Sequence, residues 1–373
     1  MSRSNYMILL FSVIISTISM AQVINITEKC NLATFVPDCS GMCTRNDGST
    51  LWVVNDNDQK TEIYETDSNC TLLRTVKILN VSKTDWEELT ADDQGNIYIG
   101  DFGNNSNNRR ELNIYKLMHH DLDSTDQVNA GKITFHYTRQ TAFPPPETEL
   151  NYDMEAMIWL NGRLHLFSKN RTNPFSGWTY HYSLPDEPGT YDITPVDSFN
   201  TGPGPSLLFW VTGASISADK QKLALLTHDK IWVFEPLDSI HFFNSPQKTY
   251  SLAHFSQKEG IAFAGKDGVY FADEVNKTIS NGGKLYYGSM GTVSDNSDFS
   301  GLVRTTMIYA HEFMQLDLSA TDLLEIFDTQ GRRIIRQNLT QNHFTQMPVL
   351  VSGLYWVILK SGKEIRRMLM LKD

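Results

Sequence analysis

Beyond its first two dozen residues, the 373-residue chain has no apolar run of about 18 residues, so no spanning helix is expected in the mature protein. Positive charge is also scarce. The 32 Lys and Arg against 43 Asp and Glu leave a net charge of −11, which argues against nucleic acid or an anionic membrane surface as the main partner. With charged residues at 20% and aromatics at 11%, general disorder is not expected. Cysteine is limited to Cys30, Cys39, Cys43 and Cys70, all within the first 70 residues. No histidine lies among them and the Cys-x3-Cys pair lacks a matching second pair. Two disulfides of undetermined connectivity are therefore expected rather than a zinc site. No Gly-x-Ser-x-Gly nucleophile motif is present.

Residues 1–21 have the form of a cleaved leader: Arg3, an apolar run from Met7 to Ile18, then Ser19-Met20-Ala21. The chain is therefore expected to be exported. Asn-x-Ser/Thr triplets such as Asn25-Ile26-Thr27 are read as chance in an Asn- and Thr-rich chain.

What the chain does have is a repeat. A short strand, a turn and a second strand ending in polar residues recur at Ser40–Asp58, Glu87–Asn105, Met154–Asn170, Gly213–Asp229 and Glu259–Glu274. The clearest copy has the turn Asp92-Asp93-Gln94-Gly95, where glycine supplies the positive φ of a short loop. Steps of roughly 46–67 residues match propeller blades with loop insertions. A two-sheet sandwich does not need the same inner hairpin five times. The expected fold is therefore all-β: a propeller over residues 22–290 with five blades visible. A sixth would have to lie in Asp121–Asn151 or Pro236–Gln257. Outer strands are expected at Thr61–Thr66, Leu72–Ile78, Leu112–Leu117, Lys132–Tyr137, Gly177–Ser183, Asp192–Ser198, Lys230–Glu235 and Lys284–Gly288. The N-terminal segment around Val23–Thr27 would close the ring. Residues 291–300 read as a linker, and 301–373 as a small β-sandwich-like domain.

The inner strands of a propeller line its channel, so equivalent strand ends form rings. One predicted ring is Ser40, Glu88, Glu155, Gly213 and Glu259. A second is Asp56, Asp101, Lys169, His228 and Asp273 or Glu274. Converging carboxylates repel unless a cation joins them, and oxygen-only donors suit a hard divalent ion such as Ca²⁺. Glu88, Asp101, Glu155, Glu259 and Asp273 are the candidate metal ligands; Glu88, Glu155, His228 and Lys169 are the candidate catalytic groups. The competing reading is that these acids cap strand ends by accepting backbone N–H bonds. Trp86, Trp159 and Trp232 are expected to pack between blades, the His119-His120 pair to lie in a solvated loop, and Pro144–Pro146 to form a rigid surface loop.

The tail carries Asp328, Gly331 and Arg332 in an Asp-x-x-Gly-Arg turn, Ser352-Gly353-Leu354-Tyr355 at a strand start, and a basic last strand ending at Lys372. In these features it resembles the C-terminal sorting domain read by the type IX secretion system, which implies that machinery as a partner, export through the periplasm, and a secreted or cell-surface destination. The repeats, in phrases such as EGIAFAGKDGVYFADE, are similar to six-bladed propellers of the gluconolactonase-like and phytase-like superfamily. The expected function is a ligand-binding or scaffold module for a small molecule, glycan or protein, with an acidic, Ca²⁺-binding channel mouth. The alternative is a metal-dependent hydrolase of small esters, lactones or phosphates.

Overall fold

A computed structural model describes residues 22–45, 50–56, 58–237, 240–252, 254–275 and 282–291, together with five strands of the tail. The leader and residues 292–300 lie outside the described residues, as do Gly331, Arg332 and Ser352 of the tail motifs.

Five antiparallel sheets form a closed five-bladed propeller. Their innermost strands are Cys39–Thr44, Trp86–Ala91, Asp153–Leu160, Gly213–Ile216 and Lys258–Ala264, and each packs on the next, the fifth returning to the first. Second strands such as Leu51–Asn55 and Ile97–Asp101 are buried at every residue. The alternation of a strand shares its side chains between two blade interfaces, so both sets are apolar. In the second strand of blade two, Ile97 and Ile99 face blade one beside Trp52 and Trp86, while Tyr98 faces blade three beside Met157 and Leu164. Trp86 and Trp232 lie buried between blades; Trp159 is half-buried and donates its indole N–H to Asp186.

The segments that might have held a sixth blade are used otherwise. Residues 121–151 supply Gln127–Val128 and Gly131–Tyr137, and residues 236–257 supply Gln247–Ser251, the fourth strand of blade four. His119 and His120 open a one-turn helix rather than a loop. The closing strand is Thr27–Asn31, antiparallel to Lys284–Ser289, a few residues later than expected. Ahead of it, Gln22–Val23 runs parallel along the outer strand of blade four, so the N-terminal segment ties two blades. Blades one and two gain similar parallel edge strands, Gln127–Val128 and Gly189–Ile193. The expected strand Asp192–Ser198 is therefore split. Pro195, which has no N–H for a ladder, separates Gly189–Ile193 on blade two from Asp197–Asn200 on blade three. These additions cover sheet edges that would otherwise expose unpaired backbone groups.

Cysteine pairing corrects the two-disulfide expectation. Cys30 and Cys70 are bonded, but Cys39 and Cys43 are buried free thiols. Four residues of strand separate the latter by about 13 Å, well beyond disulfide reach. A bulge between Cys39 and Gly41 also sends the two side chains into different blade interfaces.

In the tail, a separate five-stranded sheet has the order Thr306–Tyr309, Glu364–Lys372, Gly353–Ser361, Leu323–Asp328, Arg333–Asn338. Thr306–Tyr309 pairs in parallel with Glu364–Lys372, and Leu324, Ile326, Val357 and Leu359 are buried.

Candidate cation site at the propeller mouth

Four of the five inner strands begin with a bulge whose extra residue is Ser40, Glu87, Glu155 or Glu259. In blade four Thr212 stands at the same height, just ahead of its strand. Bulges re-aim a side chain, and here they set a common row at one end of the channel. Two members are stitches between blades: Ser40 Oγ donates to the Trp86 carbonyl at 2.6 Å, and Thr212 Oγ1 donates to the Lys258 carbonyl at 2.7 Å. The other three are buried glutamates, and carboxylate oxygens of Glu87, Glu155 and Glu259 come within 4.8 Å of one another.

Further acids surround this trio. Two residues ahead in each blade are Asp38, Asp85, Asp153, Trp210 and Gln257, and at the ends of the second strands are Asp56, Phe102, Lys169, His228 and Glu274. Asp56, Asp85 and Glu87 form a second oxygen cluster within 4.8 Å, so Glu87 belongs to both. Gly103 makes room for it, because a Cβ there would lie 2.4 Å from both Asp85 Oδ2 and Glu87 Oε1.

Among the described residues, ion pairs to the mouth acids form on one side only. Lys169 Nζ lies 3.0 Å from Glu155 and 3.8 Å from Glu259; Arg171 bonds Asp153 at 2.7 Å and approaches Glu155 at 3.4 Å. Trp210 lies over both cations, 5.4 Å from the ammonium and 4.7 Å from the guanidinium. No ion pair reaches Asp56, Asp85 or Glu87 among the described residues. Burial raises acids on both sides, and Glu155 is pushed well up against the pull of Lys169. Burial, then repulsion from Asp56 and Asp153, raises Asp85 to about 7, and burial with Glu155 and Asp85 nearby pushes Glu87 well up. Burial alone would lower Lys169, but Glu155 and Glu259 raise it and keep it charged.

The predicted residues separate into two groups. Glu155 and Glu259 meet in the mouth with Lys169. Glu88 does not, because the bulge absorbs Glu87 and turns Glu88 down the axis, where both its oxygens accept backbone N–H bonds. Strict alternation next to Glu88 would put Glu87 on the opposite face; the bulge brings it into the mouth instead. Gly213 likewise gives way to Thr212. Asp101 and Asp273 are also excluded, since they stand one residue short of the mouth row. Asp101 accepts from the Asp85 N–H, Arg109 and the Tyr115 hydroxyl; Asp273 accepts from the Lys284 N–H and the Tyr286 hydroxyl. These two are matching strand-end caps in blades two and five. His228 is buried, with no hydrogen-bond partner on either ring nitrogen among the described residues, and burial with Lys169 and Lys258 nearby holds its pKa well down. Its carbonyl accepts from Lys258, a buried ammonium also bonded to His254 and Ser256.

The converging carboxylates could hold a metal ion: they offer oxygen donors only, and they are undersupplied with fixed cations. No helix among the described residues is long and apolar enough to cross a membrane.

No protein-family profile and no curated protein matches the chain. Similar solved structures include the PQQ-bound aldose sugar dehydrogenase of Streptomyces coelicolor, at 10% identity and TM-score 0.41, covering 73% of this chain and 99% of that one. A gluconolactonase from Xanthomonas campestris, XC5397, is similar at 9% identity and TM-score 0.39, over 72% and 86%. PorZ, a surface component of the type-IX secretion system of Porphyromonas gingivalis, is similar at 12% identity and TM-score 0.33, over 90% and 45%. Scores this low carry no argument about chemistry.

Proposed function

We propose that this β-propeller is an exported binding module whose mouth holds a divalent, oxygen-seeking cation such as Ca²⁺, through which a small molecule, glycan or protein ligand is engaged. The observation that carries this reading is the meeting of Glu87, Glu155 and Glu259 within 4.8 Å, with a second cluster sharing Glu87. Glu87, Asp85 and Asp56 would hold the ion on the side that Lys169 does not reach, with Glu259 completing the set. The cation would neutralise them and polarise a ligand oxygen. Calorimetric titration of the purified, chelator-treated chain with Ca²⁺ tests it. Saturable heat that disappears in the Glu87→Gln variant is expected; no heat, with no metal retained by elemental analysis, would overturn the reading.

His228 favours a second reading, a metal-dependent hydrolase of small esters, lactones or phosphates. A buried, neutral imidazole with no hydrogen-bond partner among the described residues would hold and orient a water at the mouth, its depressed pKa suiting it to positioning rather than to keeping a proton. Turnover that requires both Ca²⁺ and His228 would select it over the binding module. The tail sheet is proposed to act as a sorting domain for the type IX machinery. Retention in the periplasm after deletion of residues 301–373 is the expected result.

A further inference from the structure

Below the mouth, the next row around the axis consists of Gly41, Glu88, Ala156, Gly213 and Gly260. Only Glu88 in that row has a side chain longer than a methyl. The inner strands approach closely there: a Cβ at Gly41 would lie 2.5 Å from Glu88 Cα, and one at Gly213 would lie 2.3 Å from the Glu259 carbonyl oxygen. Glu88 is wholly buried and crosses the channel. The Leu89 N–H donates to its Oε1 at 3.0 Å, the Met42 N–H to the same oxygen at 3.4 Å, and the Ala214 N–H to Oε2 at 3.0 Å. Burial pushes the Glu88 carboxyl well up, while these three N–H groups and that of Met157 act against it by favouring the charged form.

These four donors are not scattered. Met42, Leu89, Met157 and Ala214 occupy one register position, opposite Val53, Ile99, Leu166 and Leu225 in blades one to four. Four blades thus aim an equivalent N–H at one point on the axis, the arrangement by which backbone amides bind anions. Met42, Leu89 and Ala214 also line a cavity of about 260 Å³ that continues to Thr44, Ser217 and Phe263 at the opposite mouth. Glu88 therefore stands between the acidic mouth and this cavity.

We infer that the propeller axis is an anion-binding site for one small carboxylate, and that the chain fills it with the side chain of Glu88. Both oxygens face donors, so a proton or an amide NH₂ at either would meet an N–H head-on. The role is one of positioning: Glu88 fixes the inner strands whose first residues carry Glu87, Glu155 and Glu259.

The test is chemical rescue in the full chain. Glu88→Ala should melt roughly 5–10 °C below the parent. Formate or acetate should raise that melting temperature saturably above matched sodium chloride, leaving the parent unmoved. Glu88→Gln should also melt below the parent, and formate should not rescue it because the carboxamide still fills the space. If Glu88→Ala is recovered only by refolding, a higher yield in formate than in chloride supports the site and equal yields overturn it. Glu88→Gln melting with the parent, or formate acting on Glu88→Ala no better than chloride, would also overturn it.

Discussion

Lys169 and Glu155 sit 3.0 Å apart at the mouth of one blade, both almost wholly buried, and the same ammonium is 3.8 Å from Glu259 in another blade. One cation thus serves two of three converging carboxylates. Removing it leaves Glu259 without an ion-pair partner among the described residues and Glu155 with Arg171 alone, at 3.4 Å. Lys169→Met is expected to lower stability by about 3–5 kcal/mol in metal-free buffer. Ca²⁺ should restore part of that loss; denaturant unfolding with and without Ca²⁺ measures both.

Glutamates that share the mouth should differ from acids that only cap strands. Glu87→Gln should abolish the rise in melting temperature produced by Ca²⁺. Asp101→Asn and Asp273→Asn should melt lower yet keep the full Ca²⁺ increment, because their oxygens serve Tyr115 and Tyr286 hydroxyls and backbone N–H groups. Equal Ca²⁺ responses in all three variants would contradict the assignment.

The pH dependence has a definite sign. Asp85 titrates at about 7 in the folded protein, raised by burial and by Asp56 and Asp153. In the unfolded chain an aspartate titrates near about 4. Between those values the folded state holds the proton that the unfolded state has released, so this contribution is present at low pH and is lost as pH rises toward 7. Without metal, the Asp85 contribution to stability should decline across that window and Asp85→Asn should flatten the decline. Ca²⁺ competes with these protons, so its stabilising effect should grow over the same range, with proton release on binding.

The inner hairpins were legible because strand, turn and strand recur with apolar residues at both interfaces. Their number and most outer strands followed. What periodicity could not show was the bulge, since one extra residue reverses every later side chain in the pattern. Glu87 and Glu88 exchanged roles for that reason alone. The parallel edge strands were also hidden: a two-residue pairing such as Gln127–Val128 leaves no pattern of its own.

Thiol counting tests the cysteine assignment. Denatured, unreduced protein should take up two alkyl groups, at Cys39 and Cys43, and reduced protein four. Replacing Cys30 and Cys70 by serine should cost about 4 kcal/mol, the chain-entropy value for a loop of 40 residues.

The strand Thr27–Asn31 completes the last blade by pairing with Lys284–Ser289, while Gln22–Val23 lies on the blade before it. Nearly the whole propeller sequence must therefore emerge before the ring can shut. Until then the earliest residues have no partner, and the last two blades show open edges. Closure is a late, long-range event, and any machinery that moves this chain unfolded meets its two ends before they have met each other.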